Sequence, residues 1–228
     1  MPFTLAHPAA VLPLAGRRLP LSALVAGSVA PDFEYLLRLT PAGSFAHSAV
    51  GLVTFSLPVS LLAYLVAQGL LIPAIAGAFR VRLAPRKAAP FMVLVALIVG
   101  LLSHVAWDSF THPSGLLVTH WPTLSTTLLG IPLFKVLQHT SSAVGFTAIA
   151  LFVWHRHRDL LLAHTSRALA IAVLVCVPAL VGAILNAYRG ASPNAQLGLF
   201  AVGALDGGLI AVLVAATLYC RLNRTEAG

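Results

Sequence analysis

Long apolar stretches separated by short polar ones set the frame of this chain. No formally charged residue occurs between Ser48 and Phe79, and further apolar runs cover about 90–110, 132–154, 168–188 and 196–220. A hydrocarbon core about 30 Å thick needs about 20 residues at about 1.5 Å of helical rise each. Each run therefore predicts a membrane-crossing helix, the first over 48–72. The expected fold is all-α, an integral membrane helical bundle of five spans forming one membrane domain over residues 1–228.

The first 47 residues fit this pattern less simply. Leu19 to Ala30 is too short to cross unaided and lies between Pro20 and Pro31, which predicts short interfacial or re-entrant helices. Arg17 and Arg18 before an apolar stretch ending Ser28-Val29-Ala30 also fit a signal peptide with a small-residue cleavage site. Cleavage there would discard His7, and the later spans already anchor the chain, so retention of the segment is expected.

Composition supports a membrane class. Hydrophobic residues make up 59% of the 228 and charged residues 9%, with a mean hydropathy of +0.93. Soluble domains carry charge on roughly a quarter of their positions, so a fully water-facing fold is excluded. Cys176 and Cys220 sit in or at the end of apolar runs, without the spacing of a disulfide framework or a cysteine metal site.

The net charge of +8 matters through its placement. Alternating along five spans, one side receives Arg80, Arg82, Arg86, Lys87, Arg156, Arg158, Arg167, Arg221 and Arg224, and the other Arg17, Arg18, Arg38, Lys135 and Arg189. Nine against five predicts a cytoplasmic C-terminus. Short juxtamembrane basic groups on a membrane chain explain the high pI without nucleic acid, which is not expected as a partner. His155, His157 and His164 lie among arginines and read as a basic surface near lipid phosphates.

The chemistry gathers on the other face, expected to be extracytoplasmic. His7, Asp32, Glu34 and His47 precede the first span; His104, Asp108 and His112 end the second; His120 and His139 follow. His104, Asp108 and His112 recur every four residues, which on an α-helix makes one polar stripe. Along the axis His104 and His112 are about 12 Å apart, too far to share one ion on an unbroken helix. Asp108 is therefore the natural bridge, paired with His104 for one ion and with His112 for a second. Pro113 disfavours helical backbone at His112, so the helix is expected to end there.

Ionisable groups near a span are expensive and mark function. Mixed His and Asp without useful Cys suits zinc, with iron or manganese as alternatives. The expected metal set is His7, Asp32, His47, His104, Asp108 and His112, holding one or two ions. Asp32, Glu34 and Asp108 are the candidate catalytic carboxylates, and Arg38 or Lys135 is expected to neutralise phosphate. His120, His139 and Asp206 are secondary candidates. Asp206, about ten residues into the fifth span, suits an ion pathway, or a hydrogen bond between helices that Gly203, Gly207 and Gly208 bring close.

The segments MPFTLAHPAAVLPL, LSALVAGSVAPDFEYLL, HSAVG, SHVAWDSFTHP and LQHTSSAVG resemble, in order and over most of the chain, a bacterial family of polytopic membrane proteins catalogued as a domain of unknown function. More distantly, the order His, Pro-Asp, His-Ser, His-x-x-x-Asp is similar to the YdjM-type inner-membrane metal-dependent hydrolases and, through them, to the all-helical zinc-dependent phospholipase C group. That resemblance implies a bacterial inner-membrane location and metal-assisted cleavage of phosphoesters. His7, Asp32, His47, His104 and Asp108 match its motif slots, and His112 a further histidine slot. The chain lacks a downstream His-x-x-x-Glu pair, so one or two ions are expected rather than three.

The leading expectation is a metal-dependent hydrolase acting on a lipid or lipid-linked substrate, with Asp32 or Glu34 as general base where it is not a ligand. A transporter or ion-handling protein using the same cluster is the first rival, weakened by the lack of an inverted repeat. A scaffold with a structural metal is the second, weakened by the absence of Cys ligands.

Overall fold

A computed structural model describes residues 3–14, 18–41, 43–81, 88–190 and 193–225. Arg17, Arg82, Arg86 and Lys87 lie outside these residues, as do the side chains of Arg221 and Arg224. The described chain is helical apart from one two-stranded hairpin. Five helices are long and apolar enough to cross a membrane.

The chain begins with a 3-10 helix, Thr4–Leu14, containing Pro8 and Pro13. Next come α1 (Leu21–Val29), a 3-10 turn (Ala30–Asp32) and α2 (Phe33–Arg38). The crossing helices are α3 (Ala49–Ala78), α4 (Pro90–Thr111), α6 (Leu133–Ala163), α7 (Thr165–Ala187) and α8 (Pro193–Thr225). Between α4 and α6 lie α5 (Leu116–His120), a 3-10 turn (Pro122–Ser125), β1 (Thr127–Leu128) and β2 (Ile131–Pro132). Several crossing helices run beyond the apolar runs: α3 continues to Ala78 and α6 to Ala163, since helical hydrogen bonding continues past the hydrocarbon-length segment.

Prolines shape these helices. α3 contains two π-helical segments, Leu52–Ser56 and Ala67–Leu71. Each holds the residue four before a proline, Thr54 before Pro58 and Gly69 before Pro73. A proline ring crowds that carbonyl, and the wider π turn relieves the crowding. α4 starts with Pro90 in its first turn and ends at His112, whose φ of −119° and ψ of 146° are the extended values a following proline favours.

The chain divides into two compact units. The first comprises Met1–Asp32, Ala46–Ala63 and Ala88–Arg156. Its centre is the contact of α1 with α4, where Gly27 lies against the Leu97 carbonyl and the Gly100 backbone. Gly100 in turn lies against Leu24 and Ser28, so neither position has room for a side chain. The N-terminal 3-10 helix packs on α1 and α4, and α6 closes over it, with Gly145 against Ala6 and Trp107. The Ser142 hydroxyl accepts from Phe3 N at 3.1 Å, and Trp107 Nε1 donates to Ser141 Oγ at 3.0 Å.

The second unit comprises Phe33–Phe45, Tyr64–Lys87 and His157–Gly228. Here α7 and α8 cross through Gly182, Gly203 and Gly207, whose backbones meet without side chains between them. Asn186 Nδ2 donates to the carbonyls of Leu199 at 2.9 Å and Leu39 at 3.2 Å.

The Gly27 contact generates a prediction. Gly27→Val should force α1 off α4 and destabilise the protein by at least about 1–3 kcal/mol, the range for overpacking. The thermal unfolding midpoint in detergent measures this, and an unchanged midpoint would refute the close contact.

Candidate metal centre

Four side chains distant in sequence converge in the first unit. Asp32 ends the 3-10 turn after α1, His47 occupies the turn before α3, and His104 and Asp108 stand one turn apart on α4. One donor atom from each lies within 4.8 Å of all the others, a grouping able to hold a metal ion. His47 Nε2 is 3.2 Å from His104 Nε2, 3.4 Å from Asp32 Oδ1 and 3.5 Å from Asp108 Oδ2. His104 Nε2 is 3.5 Å from Asp32 Oδ1 and 3.2 Å from Asp108 Oδ2. These five spacings, with all four donors within 4.8 Å of one another, bring the atoms close enough to bind a single ion.

Neighbouring groups aim the donors. His104 Nδ1 lies 2.7 Å from the Ser28 carbonyl. A carbonyl only accepts, so Nδ1 carries a proton and Nε2 is the ring nitrogen that faces the cluster. The Thr4 hydroxyl donates to Asp32 Oδ2 at 2.6 Å, leaving Oδ1 for the group. Ser56 Oγ, within the first π segment of α3, donates to the Ala46 carbonyl at 2.8 Å and holds the turn that carries His47. Ser48 caps α3 by accepting from Gly51 N at 3.0 Å, which fixes the next residue of that turn.

Burial pushes the His7 imidazole down to about 3, with His104 adding to the effect, so this ring is neutral. Burial of Asp32 opposes its ionisation, yet His104 and the hydrogen bond from His47 outweigh it and hold the carboxyl below its usual range.

His7 and His112 stand beside the four-donor group. His7 Nε2 is 3.5 Å and His112 Nδ1 3.3 Å from Asp108 Oδ1, the carboxylate oxygen that faces away from His104. The His7 ring stacks on His104 with centroids 3.8 Å apart and meets Trp107 edge-on at 5.5 Å. Asp108 thus divides its oxygens, Oδ2 towards His47 and His104 and Oδ1 towards His7 and His112. Exposure is uneven: His104 and Asp32 are sealed at 0% and 2%, whereas His47, Asp108 and His112 retain 19%, 13% and 18% of side-chain exposure. The group therefore opens along the edge formed by His47, Asp108 and His112.

Other candidates lie elsewhere. Glu34, in the second unit, is buried and paired with Arg38 Nε at 3.0 Å, so Arg38 serves that carboxylate. Gly43 lies against the Glu34 side chain. His120 is exposed with Nδ1 2.8 Å from the Leu116 carbonyl, and His139 and Lys135 are exposed on α6. Asp206 is half-buried on α8, in the second unit, and its Oδ2 has no hydrogen-bond partner among the described residues.

A family model described as a domain of unknown function (DUF4184) matches residues 1–217. The chain belongs to the DUF4184 family. No curated protein and no solved structure matches it. The family match covers every donor of the cluster in this DUF4184 protein, as well as Thr4, Ser28 and Ser56. Those three were not singled out from the sequence. Ser28 acts through its carbonyl, which no residue type encodes; Ser56 sits in apolar surroundings, and Thr4 lies within MPFTLAHPAAVLPL, a segment that by itself assigns it no role.

The Asp32 contact can be tested directly. Thr4→Val should release Asp32 Oδ2 and weaken metal binding about 10–100-fold, the usual cost of losing an outer partner. Competition with a chromophoric chelator measures it, with His120→Ala and His139→Ala expected to bind as wild type.

Proposed function

We propose that this DUF4184 protein is a membrane-embedded, zinc-dependent hydrolase that cleaves a phosphoester of a lipid or lipid-linked substrate. The observation that carries the reading is the convergence of Asp32, His47, His104 and Asp108, with each imidazole 3.2–3.5 Å from the other and from both carboxylates. A donor set of imidazole nitrogens and carboxylate oxygens without thiolate suits zinc. Two imidazoles and two carboxylates also balance a divalent cation's charge.

When bound, such an ion polarises a phosphoryl oxygen and makes water nucleophilic near neutral pH. The chain's own groups divide the remaining work. Asp32 is locked by Thr4 and Ser28 fixes His104, so these two form the rigid back of the site. Asp108 is the adaptable ligand: it lies on the open edge, and His7 and His112 face its second oxygen. A swing of that carboxylate towards His7 and His112 would open a coordination position for water or substrate without leaving the carboxylate unpaired. His112, with Nδ1 3.3 Å from Asp108 Oδ1, is placed to hold a proton against that carboxylate. Arg38 is paired to Glu34 and Lys135 is exposed, so a cation held by the four donors would be the group that neutralises phosphate. The site lies near the end of a crossing helix, a depth at which a laterally diffusing lipid presents its head group.

The rival reading is metal-ion handling, in which the same cluster holds the cargo. Metal analysis of detergent-purified protein should find about one zinc per chain, lost in His104→Ala and Asp108→Ala. Wild type, and neither variant, should hydrolyse a phospholipid or polyprenyl phosphate. Zinc retained without turnover, together with zinc flux in proteoliposomes, would replace hydrolysis by ion handling. Metal-free wild type would overturn both readings.

A further inference from the structure

Between α4 and α6 the chain makes a small apolar projection that the metal site does not use. From Ser109 to Phe134 there is no Asp, Glu, Lys or Arg. The hairpin at its end pairs Thr127 with Pro132 and Leu128 with Ile131, leaving Leu129 and Gly130 as a two-residue turn. Both turn residues have positive φ, 52° at Leu129 and 80° at Gly130. That is the requirement of a type I′ turn, whose first position in water is normally Asn, Asp or Gly.

Leucine here is anomalous twice over. Its Cβ disfavours left-handed backbone, and its side chain is 96% exposed at the tip. Leu128 and Ile131, directly opposite one another and so on one face of the hairpin, are 54% and 47% exposed. Trp121, preceding the 3-10 turn, is 59% exposed. A water-facing turn gains nothing from this arrangement, whereas a lipid-facing one buries each of these side chains. α4 ends and α6 begins on either side of the segment, so both of its ends are held at one membrane boundary. Tryptophan is a residue of that boundary.

We propose that the 127–132 hairpin is an interfacial anchor whose tip, Leu129, inserts into the acyl region of the surrounding bilayer, with Leu128 and Ile131 seated beside it and Trp121 at the head-group level. The partner is the lipid itself. The anchor lies on the boundary where α4 ends, the boundary that also carries Asp108 and His112, and so helps set the height of the site's open edge. It does not depend on the hydrolase reading, because its test reads membrane depth and not turnover.

The experiment is site-directed spin labelling in nanodiscs of mixed phosphatidylethanolamine and phosphatidylglycerol. The native thiols are removed by Cys176→Ser and Cys220→Ser, and the nitroxide is placed at Leu129→Cys. Val144→Cys, on an exposed mid-span position of α6, serves as the lipid reference, and Asp159→Cys, whose side chain is 92% exposed, as the reference near water. The label at 129 is expected to collide with oxygen several-fold more readily, relative to a water-soluble nickel chelate, than the label at 159. Labels at Leu128→Cys and Ile131→Cys give an independent reading should the tip variant fold poorly. Nickel-dominated collisions at all three hairpin positions would overturn the proposal in favour of a water-facing loop. Dipolar broadening that disappears on dilution with unlabelled protein would overturn it in favour of contact between copies.

Discussion

Two carboxylates facing each other across a pair of imidazoles, inside an otherwise apolar helical unit, are the constraint around which the first unit is organised. Asp32 and Asp108 come from different elements, and each lies close to both His47 and His104. Buried charge of one sign is unfavourable unless it is compensated. The imidazoles of His47 and His104, each 3.2–3.5 Å from both carboxylates, compensate part of it. A divalent cation held between the four donors, which lie within 4.8 Å of one another, would compensate the rest.

Keeping four donors in place requires a rigid frame, and glycine supplies its tightest joint. Because Gly27 and Gly100 have no Cβ, α1 approaches α4 closely enough for the Ser28 carbonyl to reach His104 Nδ1. The same approach sets the path of the chain into the Ala30–Asp32 turn. The N-terminal 3-10 helix then lies over this joint and delivers both the Thr4 hydroxyl and the His7 ring. A helix broken by two prolines suits that task, since its tighter winding presents residues three apart on one side.

Much of this was legible in the sequence, for physical reasons that also mark its limits. Hydropathy is summed over some twenty residues, so the five crossing helices stand out, while their ends do not. The four-residue spacing of His104, Asp108 and His112 foretells a shared stripe, and the structure puts His104 and His112 at opposite oxygens of Asp108. Sharing a membrane boundary, by contrast, confines a residue to a slab and not to a point. His120, His139 and Lys135 satisfy that condition yet are exposed and apart from the four-donor group. The pairing of Glu34 with Arg38 was available from their four-residue spacing on one short helix. Contacts made by backbone, such as Ser28 to His104, leave no mark in residue types.

The distribution of the donors bears on what the rest of the chain is for. Asp32, His47, His104 and Asp108, with His7 and His112 beside them, all belong to the first unit, so the four-donor group is assembled from the first unit's own residues. Those two helices carry a different signature: glycine-mediated backbone contact, an Asn186 that bonds the Leu199 and Leu39 carbonyls, and the half-buried Asp206. Close helix crossing through glycine, reinforced by a side-chain amide bonded to main-chain carbonyls, produces a stiff pair. Where the first unit spends buried polarity on convergent ligands, the second spends most of it on holding helices together. Asp206 is the exception, a carboxylate within a crossing helix that this packing does not require.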